Sequence, residues 1–133
     1  MSSSPETRKG AKGKIYPDQR KKFTDGQTRK TVWQMTDTPG RITRGQYATQ
    51  NLATPDGEWL IYGSDRGNQK GRLDLFRMNL RTGESVQLTE SVLGCNPQWA
   101  HLSPDGREAY YVEDTNHFRV VNIHTLEERS LGR

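Results

Sequence analysis

The sequence predicts an all-β chain: a β-propeller fragment of about two four-stranded antiparallel blades, preceded by an N-terminal closing strand. Three observations carry this. Two segments each open on a Pro-Asp-Gly turn, Pro55-Asp56-Gly57 and Pro104-Asp105-Gly106, which lie 49 residues apart. A period of about 40 to 50 residues with several short strands per unit is how propeller blades read in sequence. Residues 73–80 and 118–123 then recur at matching places as alternating apolar stretches, the pattern of a half-buried strand. Finally, Val32-Trp33-Gln34-Met35-Thr36 echoes Val86-Gln87-Leu88-Thr89, giving a third, incomplete copy upstream.

Each element has a local reason. Pro presets φ at the second turn position, Asp bonds its own backbone and Gly takes the left-handed conformation. The first such turn joins an inner strand over about residues 46–53 to a second strand over 59–63. A polar loop with breaks at Gly67, Asn68 and Gly71 precedes the third strand, residues 73–80. Thr82-Gly83 then turns the chain into an outer strand, residues 85–89. The second unit repeats the series through residues 110–112, 118–123 and 125–128, with a loop six residues shorter, because Asn79 and Asn122 are 43 apart. Asp25-Gly26 supplies the turn before the upstream copy. A terminal strand of this kind completes the last blade of a propeller and removes a sheet edge, or else packs as an ordinary hairpin on the first blade. The expected organisation is a basic, flexible leader (1–21), a closing hairpin (22–40), blade one (41–92) and blade two (93–133).

Composition sets limits. Only 30% of the 133 residues are hydrophobic and the mean hydropathy is −1.00, poor material for a self-sufficient core. Two blades alone expose both flanking sheet faces and edges, which predicts self-association. No apolar run approaches the length of a membrane span, so no membrane partner is expected. The first residues lack the apolar core of a secretory signal. A single cysteine, Cys95, leaves no internal disulfide and suits a reducing compartment, so the expected location is cytoplasmic.

The net charge of +4 divides unevenly. Residues 1–30 hold nine Lys or Arg against Glu6, Asp18 and Asp25, and the remainder is slightly acidic. Such an arm could reach phosphates, but only Tyr16 and Phe23 interleave with its charges, so no nucleic-acid partner is expected. No nucleotide fingerprint is present, since Gly63, Gly67 and Gly71 are spaced as loop breaks. No nucleophile elbow occurs either.

Residues 23–131 resemble the N-terminal part of the oligogalacturonate lyases, seven-bladed propeller enzymes of pectin breakdown. The residues carrying the resemblance are Phe23-Thr24-Asp25, then Val32-x-Gln34-Met35-Thr36, then Tyr47, Gln50 and Thr54 ahead of Asp56-Gly57. It continues through Asn79-Leu80, Val86-Gln87-Leu88-Thr89-Glu90, Tyr110-Tyr111-Val112 and Thr125-Leu126-Glu127-Glu128. The turn and outer-strand pieces are shared with TolB-type and peptidase-type propellers. The N-terminal strand and the Thr-Leu-Glu-Glu stretch are more particular. Arg44 is a departure, standing where the family's inner strand is expected to open on a histidine.

The resemblance implies a β-elimination on oligogalacturonides, acidic oligosaccharides derived from pectin. A base removes the proton α to the uronate carboxylate, and a divalent metal, Mn2+ in the family, stabilises the resulting charge. The glycosidic oxygen leaves and an unsaturated uronate forms. The family's metal ligands and base belong to later blades, so no catalytic residue and no metal ligand is assigned here, and the chain alone is expected to be inactive. His117 and His124 fall on opposite sides of one strand segment, cannot chelate at that spacing and read as surface histidines.

Substrate contacts are placed where propeller ligands sit, over the channel mouth where inner strands begin: Arg44, Tyr47, Gln50 and His101. An Arg there could grip a uronate carboxylate with two hydrogen bonds. Alternatives stay open at each. Arg41 and Arg44 also read as solvated loop charges, and His101, matched by Leu52 in the first unit, as a packing residue. Trp59 reads as inter-blade core and Cys95 as inert. Two other functions remain beside the lyase reading: a TolB-type module binding a protein or peptide on its channel face, and the N-terminal propeller of a peptidase.

Overall fold

The computed structural model describes residues 10–45 and 53–133. Both Pro-Asp-Gly turns close in the same way. Gly57 and Gly106 take positive φ (73° and 74°), and their amides donate to Thr54 and Ser103 carbonyls at 2.9 and 2.8 Å. The Asp56 and Asp105 carboxylates accept the amide two residues on, at 2.9 and 3.0 Å. The strand that follows each turn is thereby aimed back along its predecessor.

After the first turn come β5 (Trp59–Ser64), β6 (Asp74–Asn79) and β7 (Ser85–Gln87). After the second come β9 (Glu108–Glu113), β10 (His117–Asn122) and β11 (Glu128–Gly132). Short inner strands precede them, β4 (Thr43–Arg44) in the first unit and β8 (His101–Leu102) in the second. The second unit forms a four-stranded antiparallel sheet in the order β11-β10-β9-β8. These are two propeller-type blades in an all-β chain.

Two boundaries differ from the sequence reading. The inner strand expected over 46–53 is not among them: it lies outside the described residues except for Ala53, which bridges Leu60 on the same β5 that pairs with Thr43–Arg44. Thr125 belongs to a turn and the last strand starts at Glu128, because the Asn122 side chain accepts the amides of His124 and Thr125. Asn79 does the same for Arg81 and Thr82, so the asparagines 43 residues apart are one repeated turn device. Second, the leader is not free from residue 10 onward. β1 (Ile15–Tyr16) pairs antiparallel with β7 and makes the first blade a five-stranded sheet, β1-β7-β6-β5-β4. The physical reason is the bare edge β7 would otherwise present.

Alternation along β5 and β6 serves two cores. Ile61 and Leu75 point to the second blade, where they join Leu88, Cys95, Ala100, Ala109, Tyr111, Val121 and Ile123. Trp59 packs against this inter-blade core, as expected. Tyr62, Phe76 and Met78 point the other way and are covered by Tyr16, Met35 and Leu60. The upstream copy forms a separate antiparallel hairpin, β2 (Lys21–Thr24) with β3 (Thr31–Gln34), exposed throughout. Arg20 and Lys22 lie over its Trp33 ring at 5.1 and 5.5 Å.

Candidate functional site at the inner strands

Arg44 ends β4, exposed, with Gly63 as its backbone partner across the sheet. His101 opens β8, also exposed, opposite Tyr110. Tyr47 and Gln50 lie outside the described residues. The two described positions are tied by one contact between blades. Gly63 abuts the short 3-10 turn Pro97–Trp99 so tightly that an added Cβ would stand 2.3 Å from Pro97 Cγ. Asn96 caps that turn by accepting the Gln98 amide at 3.1 Å, and the chain then enters β8 through Ala100. The start of the second inner strand is therefore seated on β5, the strand whose Gly63 pairs with Arg44.

The loop beyond β5 stiffens this end. Asp65 is fully buried, and its carboxylate accepts the amides of Ile42 (2.9 Å) and Gly71 (2.8 Å). Arg41 donates to the carbonyls of Asp65 and Asn68, at 3.2 and 2.9 Å. It is a pinned residue and not a free loop charge. Asp74 accepts from Thr89 Oγ1 and the Ser91 amide, both 2.8 Å, locking the exit of the first blade.

Sequence reasoning missed two features here. Arg66 is 9% exposed, its guanidinium 4.0 Å from the Tyr16 ring centroid, donating to Tyr62 Oη (2.7 Å) and Gln19 Oε1 (2.9 Å). Burial pushes the Tyr62 hydroxyl up, and its bond to Ser85 and the nearby Arg66 charge pull against that. No local pattern announces such a residue. The second is an apolar groove of about 360 Å³ on the outer face of blade two, lined by Trp99, His101, Tyr110, Val112, Phe118 and Leu131. Trp99, Phe118 and Leu131 are 55%, 52% and 51% exposed. Its signal was legible, since β9 and β10 are apolar on both faces.

The histidines do not converge. His117 Nε2 lies 2.7 Å from Ser130 Oγ, with Nδ1 3.5 Å from Glu113. His124 sits edge-on to Trp59 (5.5 Å between centroids), its basicity lowered by burial and then by the Arg77 charge. Among the described residues no three His, Cys, Asp or Glu side chains are grouped to hold a metal ion. Cys95 is buried, which drives its thiol pKa well up and makes it a poor nucleophile. No helix among the described residues is long and apolar enough to cross a membrane.

The fold and its exposed inner-strand ends define a segment of a propeller, the class in which ligands meet the ends of inner strands. The comparisons place it further. The family profile for oligogalacturonate lyase matches residues 10–133, and the chain belongs to that family. It is 31% identical over 121 residues to an oligogalacturonate lyase of Dickeya dadantii and 30% identical to an oligogalacturonide lyase of Pectobacterium atrosepticum. These matches cover 91% of the chain and 30% of each relative, so the chain spans less than a third of the curated relatives it matches. The crystal structure of an oligogalacturonate lyase from Vibrio parahaemolyticus superposes with a TM-score of 0.81 at 32% identity, over 90% of this chain and 31% of that one. An oligogalacturonate lyase in complex with manganese superposes equally well, at 31% identity and the same coverage. TolB from Acinetobacter baumannii overlaps less closely, with a TM-score of 0.56 at 27% identity over 82% of this chain and 25% of its own.

The manganese in that relative has no counterpart donor set among the described residues. His117 and His124 are engaged on separate elements and His101 stands apart on β8, so the described residues do not fit a manganese site.

Proposed function

We propose that this chain is the N-terminal two-blade section of an oligogalacturonate lyase-type propeller that cleaves pectin-derived oligogalacturonides by β-elimination. The observation carrying the proposal is the family match over residues 10–133 together with a TM-score of 0.81 against two lyase structures. Within that propeller the section provides scaffold and substrate contacts, and the base and metal ligands come from other blades. Arg44 and His101, with Tyr47 and Gln50, are assigned to the substrate: the guanidinium to a uronate carboxylate, the imidazole and amide to sugar hydroxyls. The Gly63–Pro97 contact, one strand away from Arg44, supports placing Arg44 and the second inner strand at the same end of the blades. The open apolar face of blade two, beyond its His101 end, is read as the seat of the next blade, or of a second copy in the isolated chain. The exposed hairpin β2–β3 is read as the closing piece of the last blade, and the location as cytoplasmic.

The test uses the complete protein with trigalacturonate and follows the ultraviolet absorbance of the unsaturated uronate. The proposal expects product formation, with Arg44→Gln raising KM by at least tenfold and lowering kcat less. Product formation with an unchanged KM for Arg44→Gln removes the contact assignment. No product from the unaltered protein with Mn2+ present removes the lyase reading.

A second reading, a TolB-type module binding a protein or peptide, is favoured only by the looser superposition on TolB. It predicts peptide capture by the complete protein with no elimination product.

A further inference from the structure

We propose that residues 10–20 are a clasp that couples the outer rims of the two blades, with Lys12 as its catch. This inference stands independently of the lyase reading. The segment is fixed to blade one along its length. Gly13 donates to the Gln87 carbonyl at 2.7 Å and the Gln87 amide returns a bond to Lys14 at 3.0 Å, ahead of the β1–β7 pairing. Tyr16 lies against Phe76, 5.7 Å between ring centroids and tilted, under the Arg66 guanidinium. Arg20 donates to the carbonyls of Leu80 and Arg81, at 2.7 and 3.3 Å.

The same segment then reaches blade two. Lys12 Nζ bonds Glu128 Oε1 at 2.8 Å, while its amide meets Glu90 at 3.2 Å. A Cβ at Gly13 would touch Leu126 Cδ1 at 3.6 Å, so the backbone itself lies on blade two's last turn. Glu128 is the hub on that side. Its Oε2 accepts from Arg119 (3.0 Å) and Tyr111 (3.1 Å), which links the catch to β9, β10 and β11. The Lys12 and Glu128 side chains are only 25% and 16% exposed, so solvent screens their pair less than an ordinary surface bridge. Tyr111 and Leu126 connect this rim to the inter-blade core. A segment that merely covered a bare sheet edge would need the β1–β7 bonds alone; the reach to Glu128 serves no edge.

Hydrogen exchange on the full chain tests the clasp. Lys12→Met is expected to speed exchange roughly three- to tenfold both in 85–88 and in 128–132, leaving β5 and β6 within about twofold of the parent. Glu128→Gln, altered from the other blade, is expected to give the same two-site pattern, and Lys12→Arg to restore the parent rates. Acceleration confined to 85–88, or no change at all, overturns the coupling. Acceleration spread evenly over every strand also overturns it, because the substitution would then act through global stability.

Discussion

Gly63 is the position where a single methyl group tests both the packing of the blades and the placement of the site. An Ala Cβ there would stand 2.3 Å from Pro97 Cγ and 2.5 Å from Pro97 Cβ. Restoring ordinary contact at about 3.5 Å requires the strand and the turn to separate by roughly 1.2 Å. Pro97 is buried and ringed by the 3-10 turn, so it cannot rotate away. Overpacking of this kind costs about 1–3 kcal/mol. It outweighs the roughly 0.5–1 kcal/mol that Ala would otherwise gain over Gly inside a strand. The net cost is about 0.5–2 kcal/mol, so for a chain of this size Gly63→Ala should lower Tm by about 2–8 °C in thermal unfolding followed by circular dichroism. Pro97→Gly removes the three clashing atoms, so in its background the Gly63→Ala penalty should shrink by more than half. A Gly63→Ala protein as stable as the parent would refute the contact. Equal penalties in the two backgrounds would refute its partner.

Other expectations follow from the same packing. Phe76→Ala empties the covered face of blade one and should cost about 3–5 kcal/mol in urea unfolding, whereas Phe118→Ala, on the open face, should cost under about 1 kcal/mol. Cys95 should resist iodoacetamide at pH 8 in the folded chain and react fully in urea; folded-state labelling at the denatured rate would contradict its burial. His124 is held below its ordinary pKa of 6.5, first by burial and then by the Arg77 charge. The folded state therefore disfavours its protonated form. Stability should fall as pH drops through 6.5 and level off below the folded pKa, and His124→Gln should flatten that slope. Asp56 and Asp105 are held below 3.8, chiefly by the Thr54 and Ser103 hydroxyls and then by backbone amides, so the stability they confer is complete above pH 3.8 and is lost on further acidification. Asp56→Asn should blunt the acid limb of a pH–stability profile.

What the sequence revealed was whatever is encoded within a few residues. The Pro-Asp-Gly turns and the alternation in β6 and β10 state their geometry locally and were sufficient to place both blades, whereas the asparagine turns at Asn79 and Asn122 went unread. Ile15–Tyr16 could not be read, because two residues show no period and their partners lie about 70 positions away in β7. Arg66 was silent for the same reason: its burial depends on Tyr16 and Gln19 folding back across the sheet. Arg41 looked like a solvated charge since nothing in sequence shows that the carbonyls of Asp65 and Asn68 turn toward it. The site was legible only as strand ends. Arg44 ends β4 and His101 opens β8, and the two blades meet near them through Gly63 against Pro97, a contact between residues 34 apart with no shared motif.

The central claim, that this chain is a section of a larger lyase-type propeller, is tested most directly by the intact mass of the protein isolated from its native source. A mass well above 15.2 kDa, with peptides of this chain within it, is the predicted result. An intact mass of 15.2 kDa would contradict it, leaving two blades with no further blades in the same polypeptide.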